Sequence, residues 1–504
     1  MAYLLGIDIG TGSSKAVAVD VGGEIRATEQ LAHEISRPRA GWAEHDAATW
    51  WSEVASLSRR IAAAMGESPA AVCVSGMGPC LAPATTAGEP VRAAILYGID
   101  TRAEAEIAEL NEEIGEDALL ARGGSLLSSQ AVGPKLLWLQ RHEPEVWSRT
   151  RRFFMPSSYA AWQLTGEYVL DHHSASQCNP LYDLAANRWS ADMAERVAPG
   201  LELPRLLWPS TVAGEVTASA AKATGLEKGT PVLAGTIDAW AEAMSIGATE
   251  MGDVMLMYGS TMFLTKVVER GTRSPHLWAT AGVHQGTETL AAGMATGGMV
   301  TSWFGELLGE PLEALMAEAA GVKPGADGLL VLPYFAGERT PIFDPHARGT
   351  LLGLTLSHGR PQLMRAVLEG VALGVRHNLA AFDEVSPPPT RYVAVGGGAR
   401  TATWPQIVSD ASGIPQLLPR HTVGAALGDA MLAAEAVGVS GVERWNPVAA
   451  TVEPNREHEP LYTQLFDLYR QAYLDTQAVT HALVEANQPR NISAIPTQAS
   501  PTER

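Results

Sequence analysis

Residues 3–15 read Tyr3-Leu4-Leu5-Gly6-Ile7-Asp8-Ile9-Gly10-Thr11-Gly12-Ser13-Ser14-Lys15. A short apolar run, Tyr3–Ile9, carries one carboxylate near its end and then breaks into Gly, Thr and Ser. The run predicts a buried strand and the break predicts a tight turn. A second apolar run (Ala16–Asp20), a turn at Val21-Gly22-Gly23 and a third strand over Glu24–Leu31 follow. Next comes a helix over Ala47–Met65. Trp51, Val54, Leu57, Ile61 and Met65 recur at three- and four-residue steps, and Asp46 is placed to cap it. Ala71–Val74 is another strand, ending in Ser75-Gly76-Met77-Gly78-Pro79. Strands followed by helices predict α/β architecture with ligands at the carboxyl ends of the strands.

Further along, Pro134–Arg141 and Ser157–Thr165 carry helical spacing, with Trp138 and Trp162 at apolar positions. Thr230–Gly235 reads as a strand entering a turn at Thr236–Asp238, followed by a small-residue helix, Ala239–Ile246. The opening pattern then restarts. Asp253–Tyr258, the turn Gly259-Ser260-Thr261 and Met262–Val268 form a second hairpin about 250 residues after the first, a weak internal repeat. Two similar α/β domains are expected, residues 1–247 and 248–486. The second continues with a helix over Leu363–Phe382, a strand over Tyr392–Val395, the turn Gly396-Gly397-Gly398, and helices over Ala402–Ala411 and Val423–Val437. The polar stretch 487–504 is expected to be disordered.

The chain has 504 residues, room for two large domains. Lys and Arg number 36 against 55 Asp and Glu, a net charge of −19. Such a surface repels phosphate backbones and anionic lipid, so neither nucleic acid nor membrane is expected as a partner. An anionic ligand has to be met locally, by backbone N–H groups, a few cations or a metal ion. Three cysteines without C-x-x-C spacing exclude a disulfide framework and a structural zinc site. No signal peptide or membrane span is legible, and a cytoplasmic location is expected.

No Walker A loop, G-x-S-x-G or H-E-x-x-H occurs, and Gly10-Thr11-Gly12-Ser13-Ser14-Lys15 lacks the third glycine of a dinucleotide fingerprint. What the turn does offer is several N–H and O–H donors aimed at one point, a phosphate cradle. Asp8 beside it would repel phosphate unless a hard cation stood between them, which suits Mg²⁺. A plain hairpin turn uses the same residue types, but the recurrence at Gly259-Ser260-Thr261 favours two turns gripping a phosphate chain from both sides of a cleft. Three consecutive glycines at 396–398 let a ligand approach the backbone. The smooth segment Gly424–Ala430 suits an adenine ring or another helix. Asp238, between strand and helix, can take a proton from an attacking hydroxyl, although an isolated Asp there also reads as a helix N-cap. His172-His173 does not read as a metal pair, because adjacent rings do not converge on one ion. Most of the thirteen tryptophans are expected in the core, with Trp42 and Trp240 as the candidate ligand-stacking rings.

These pieces, in this order, resemble the FGGY carbohydrate kinases, and among them xylulokinases most. The likeness lies in Gly6–Thr11, Gly41-Trp42-Ala43-Glu44-His45-Asp46, Ala94–Tyr97 with Asp100 and Arg102, Pro134-Lys135-Leu136-Leu137-Trp138, Gly337-Glu338-Arg339-Thr340-Pro341, and Gly353–Thr355 with Arg365–Val371. The resemblance implies two RNase H-like domains of the actin/Hsp70/sugar-kinase superfamily with an interdomain ATP cleft. It implies ATP-dependent phosphorylation of a sugar hydroxyl, with ATP and Mg²⁺ as cofactors, the sugar on the N-terminal domain and the nucleotide on the C-terminal one. Residue by residue it makes Asp238 the catalytic base and Asp8 and Asp238 the metal carboxylates. Thr11, Gly12, Ser13 and Lys15 fall in the first phosphate loop, and Gly259, Ser260 and Thr261 in the second. Gly397, Gly398 and Ala399 fall in the adenosine turn, and Met77, Gly78, Pro79, Asp100 and Trp240 beside the sugar. Met77-Gly78-Pro79-Cys80 lacks the histidine of the xylulokinase Met-His pair, Ile99 stands as an insertion, and Ile237, Ala239 and Trp240 replace the usual small residues and amide around the base. D-xylulose is therefore the leading substrate, with another ketose, an aldonate or a polyol as the alternative and a non-enzymatic nucleotide switch as the remote one. The oligomeric state is open, a homodimer included.

Overall fold

The computed structural model describes residues 2–487. The stretch expected to be disordered lies outside them, apart from Asn487, the last residue of a helix. In the first half, strands β1 (Tyr3–Ile9), β2 (Ser13–Asp20) and β3 (Ile25–Ala32) lead into helix α1 (Ala47–Met65) and strand β4 (Ala71–Gly76). A helical insertion includes α2 (His172–Ser176). Strands β5 (Val212–Glu215) and β6 (Pro231–Leu233) and helix α3 (Asp238–Ser245) complete this half. The second half holds strands β7 (Asp253–Tyr258), β8 (Met262–Val268), β9 (Trp278–Ala281) and β10 (Glu288–Gly293), then helix α4 (Gly298–Leu308). Helix α5 (Arg360–Asp383), strands β11 (Arg391–Val395) and β12 (Gln416–Pro419), helix α6 (Ala425–Ala436), strand β13 (Val448–Val452) and helix α7 (Glu459–Asn487) follow.

The two sheets share one plan. The first runs β5-β6-β4-β1-β2-β3, with β1–β3 antiparallel and β4 and β6 parallel to β1. The second runs β9-β10-β8-β7-β11-β12-β13, with β7 and β8 antiparallel, β11 parallel to β7, β12 parallel to β11, and β9 added at the edge. The repeat expected from two hairpins is thus a repeat of whole sheets, the two-domain α/β fold expected.

Most elements fall where the apolar pattern puts them, and the exceptions are instructive. The buried stripe of α1 is Ala47, Trp50, Val54, Leu57 and Ile61, while Trp51 and Met65 are only half-buried. Steps of 4, 3 and 4 from Trp50 stay on one face, whereas a stripe begun at Trp51 drifts off it. Asp46 does cap this helix, accepting from Ala48 N. Helix α7 was not foreseen, yet Tyr462, Phe466, Tyr469 and Ala472 give it a buried stripe at helical spacing.

The segment Gly424–Ala430 seats another helix. Helix α6 of the second half lies against β1 of the first and crosses α3. A Cβ at Gly428 would stand 1.7 Å from Ala241 O, and one at Gly6 would stand 2.0 Å from Ala426 O. Both contacts are with backbone, which cannot swing aside as a side chain can. Gly428→Ala is expected to destabilise the chain by about 1–3 kcal/mol or more, read as a lower denaturant midpoint. An unchanged midpoint would show that the helices can separate at no cost.

Candidate active site

In each sheet the hairpin turn lies beside the carboxyl end of a strand that runs parallel to the hairpin's first strand. In the first sheet Asp8 stands level with Ser75 on β4 and opposite Lys15 on β2. Gly76 bridges to Ile237, so the carboxyl ends of β1 and β4 and the start of α3 meet at one edge. In the second sheet Met257 stands level with Val395. The turn after β7 (Gly259–Thr261) therefore lies beside the glycine turn after β11, and a Cβ at Gly396 would meet Tyr258 O at 2.6 Å.

A cavity of about 330 Å³ opens between the halves. Asp8, Lys15, Gly78, Tyr97, Asp238, Trp240 and Glu242 line it from the first half, and Thr261, Phe263, Trp278, Arg339 and Gly424 from the second. Asp238 is the first residue of α3 and does not cap it. Its Oδ1 accepts from Ala239 N at 2.7 Å, and among the described residues no donor holds its other oxygen. Tyr97 OH meets Thr11 Oγ1 at 2.7 Å, which ties the first turn to the cavity wall. Lys15 Nζ donates to Val423 O at 2.9 Å, across the line between the halves.

Four carboxylates crowd this edge. Burial pushes Asp238 up to about 6, Glu242 to about 7 and Asp429 to about 8. Asp8 is raised well above the usual range, first by burial and then by Asp238, Asp429 and Glu242. Its Oδ1 is buried without a hydrogen-bond partner. Asp429 reaches over from α6 and accepts from Ser75 N at 3.1 Å, Ser75 Oγ at 2.6 Å and Cys73 Sγ at 3.4 Å.

Other expected residues lie elsewhere. Asp100 is enclosed by Arg102 and Ala43 N, with Oδ2 2.7 Å from Arg102 Nη2, and does not reach the cavity. Met77 and Pro79 are buried behind Gly78, the one residue of that loop on the wall. Trp42 packs its ring on the Arg102 guanidinium, so only Trp240 of the two candidate rings lines the cavity. Thr11, Gly12 and Ser13 lie beside it and Ser13 Oγ accepts from Gln30, while Gly397, Gly398 and Ala399 stand farther along the second sheet's edge. His172 and His173 turn to separate partners, Tyr182 OH and Ala281 O. Sequence reading missed Tyr97, Gln177, Glu242 and Arg339 as wall residues. Glu242 is the most legible of these, one helical turn after Asp238.

Comparison with known proteins agrees with this geometry. Residues 3–245 match the N-terminal domain of the FGGY family of carbohydrate kinases and residues 255–437 match its C-terminal domain. Xylulose kinase from Escherichia coli is 31% identical over 441 residues, 85% of this chain and 89% of the relative. Xylulose kinase from Lactococcus lactis is 28% identical over 507 residues, 97% of this chain and 99% of the relative. The crystal structure of xylulose kinase from Rhodospirillum rubrum superimposes with a TM-score of 0.89 at 33% identity, covering 95% of this chain and all of the other. Two like α/β halves closed on a carboxylate at their strand ends are the architecture of a sugar phosphotransferase. The chain belongs to the FGGY family of carbohydrate kinases. Among the described residues no helix is long and apolar enough to cross a membrane.

The raised acids link folding to pH. Asp429 keeps a proton in the folded chain up to about pH 8 but loses it near pH 4 when unfolded. The native state then holds the extra proton, so stability falls as pH rises through that window. Asp429→Asn is expected to flatten the fall in melting temperature between about pH 5 and about pH 8.5. A slope equal to the wild type's would refute it.

Proposed function

We propose that the cavity joins the terminal phosphoryl of ATP to a hydroxyl of a small neutral sugar, D-xylulose being the leading substrate, with Asp238 as the base. The observation that carries this reading is the free carboxylate oxygen of Asp238, facing a cavity walled by both halves. The relatives named xylulose kinase support the choice of sugar. The turn Gly259–Thr261 is fixed to the start of α4 by the Gly298 and Met299 N–H groups, which donate to Gly259 O and Ser260 O, and its own hydroxyl and N–H donors suit the phosphate end of the nucleotide. Thr11, Gly12, Ser13 and Lys15 would hold the chain from the opposite side, and Gly397, Gly398 and Ala399 would flank the adenosine. The setting for such a reaction is the cytoplasm, where ATP is made and spent.

Among the described residues no three His, Cys, Asp or Glu side chains could hold a metal by themselves. The unpartnered Oδ1 of Asp8 and the neighbouring Asp238 nevertheless fit an ion that arrives with phosphate oxygens and water as its remaining ligands, the usual state of Mg²⁺. Bound there, Mg²⁺ would offset charge on the phosphates. Asp8 and Asp238 would hold it, Asp238 would receive the hydroxyl proton, and Trp240, Phe263 and Trp278 would exclude water from the reacting atoms.

Asp238→Asn is expected to lower kcat by about 10²–10⁴ with nucleotide binding retained, measured as sugar-dependent ADP release. Unchanged turnover would remove Asp238 from the role. Because a base has to be ionised to act, kcat/KM of the wild type for Mg-nucleotide, which reports the enzyme before the ion is bound, is expected to rise with pH through a window near 6 and then level. A profile flat from about pH 5 to 8 would count against it.

A further inference from the structure

One wall of the cavity has no role in the reaction above. There α2 of the first half docks on β9, the edge strand of the second sheet. His173 Nδ1 donates to Ala281 O at 2.7 Å, and Ala281 N donates to Ser176 Oγ at 3.1 Å. A ring nitrogen facing a carbonyl has to carry the proton, so the other nitrogen of the neutral ring is an acceptor. Gln177 Nε2 donates to it at 2.8 Å. His173 is fully buried, and that burial lowers it to about 3, so the neutral ring is the form present. Its ring also lies 3.7 Å from that of Trp240, whose Nε1 donates to Thr289 Oγ1 at 3.0 Å. The imidazole is thus held on both edges and one face.

The consequence falls on Gln177. One N–H of its amide is given to His173, which leaves Oε1 directed away from the ring. Among the described residues no donor reaches that oxygen, it is not sealed inside the protein, and Gln177 lines the cavity. A fixed acceptor in a sugar pocket is satisfied by a hydroxyl and opposed by a carboxylate. Of the Arg339 guanidinium on the same wall, Nη2 is engaged by Met294 O at 2.6 Å and Nε is buried, which leaves Nη1 as the part able to meet a ligand.

We propose that Gln177, oriented by His173, is a specificity-determining residue: its Oε1 accepts a hydroxyl of the substrate and selects a neutral ketose or polyol over the corresponding aldonate. This rests on the phosphotransfer reading above.

The test is ADP release by the full chain against pentuloses, hexuloses, polyols and aldonates of matched length. The best neutral sugar is expected to exceed its aldonate in kcat/KM by about 100-fold or more. Gln177→Leu, close in size, is expected to lower kcat/KM for that sugar by about 10–100-fold, mainly through the sugar KM, with the nucleotide KM in place. His173→Phe keeps a ring against Trp240 but frees the amide to turn, and is expected to act in the same direction. In the Gln177→Leu background it should add less than about 2-fold, since the two residues act as one unit. Preference for an aldonate, an unmoved sugar KM in Gln177→Leu, or additive effects would each overturn the inference while leaving the kinase reading standing. Absence of sugar-dependent ADP release from a chain that binds nucleotide would overturn both. Should His173→Phe fail to fold, the Gln177→Leu comparison decides alone.

Discussion

Everything in this molecule depends on two glycines that let backbone touch backbone. Gly6 in β1 admits Ala426 O of α6, and Gly428 in α6 admits Ala241 O of α3. A helix of the second half therefore lies directly on the first sheet, with no layer of side chains between. Asp429, next to Gly428, then reaches Ser75 and Cys73 on β4. The strand ends of both sheets are brought to one opening by this contact. Wider spacing would part Asp8 and Asp238 from the turns of the second half.

The same closeness explains the electrostatics. A chain of net charge −19 gathers four carboxylates, Asp429 buried and Asp8, Asp238 and Glu242 half-buried, at the place where an anionic nucleotide is proposed to bind. The Lys15 ammonium acts against the upward shift at Asp8 and Glu242, and its Nζ donates to Val423 O. Burial disfavours the ionised form of each of these carboxylates. A divalent ion held by Asp8 and Asp238, as proposed, would favour their ionised form.

Much of this was legible in one dimension. Tyr3–Ile9, Asp253–Tyr258 and Met262–Val268 are strands with the bounds the apolar runs gave, since a buried strand shows itself as a short apolar run. Asp8 and Asp238 stood out because a carboxylate at a strand end is costly unless it is used. Gln177 and Arg339 did not stand out. Polar residues in loops are common, and only the meeting of remote segments makes them walls. Asp100 is a different case: its motif places it near the sugar, and in the structure its charge is met by Arg102 two residues on.

The sequence by itself therefore determined the two hairpins, the duplicated α/β plan and the carboxylate at each critical turn, because these follow from local periodicity and turn chemistry. Only the tertiary structure decided that Gly424–Ala430 seats a helix, that Trp42 serves an arginine while Trp240 serves the cavity, and that His173 aims Gln177. Those outcomes depend on which atoms from distant stretches come within bonding distance, and spacing along a chain does not encode distance across a fold.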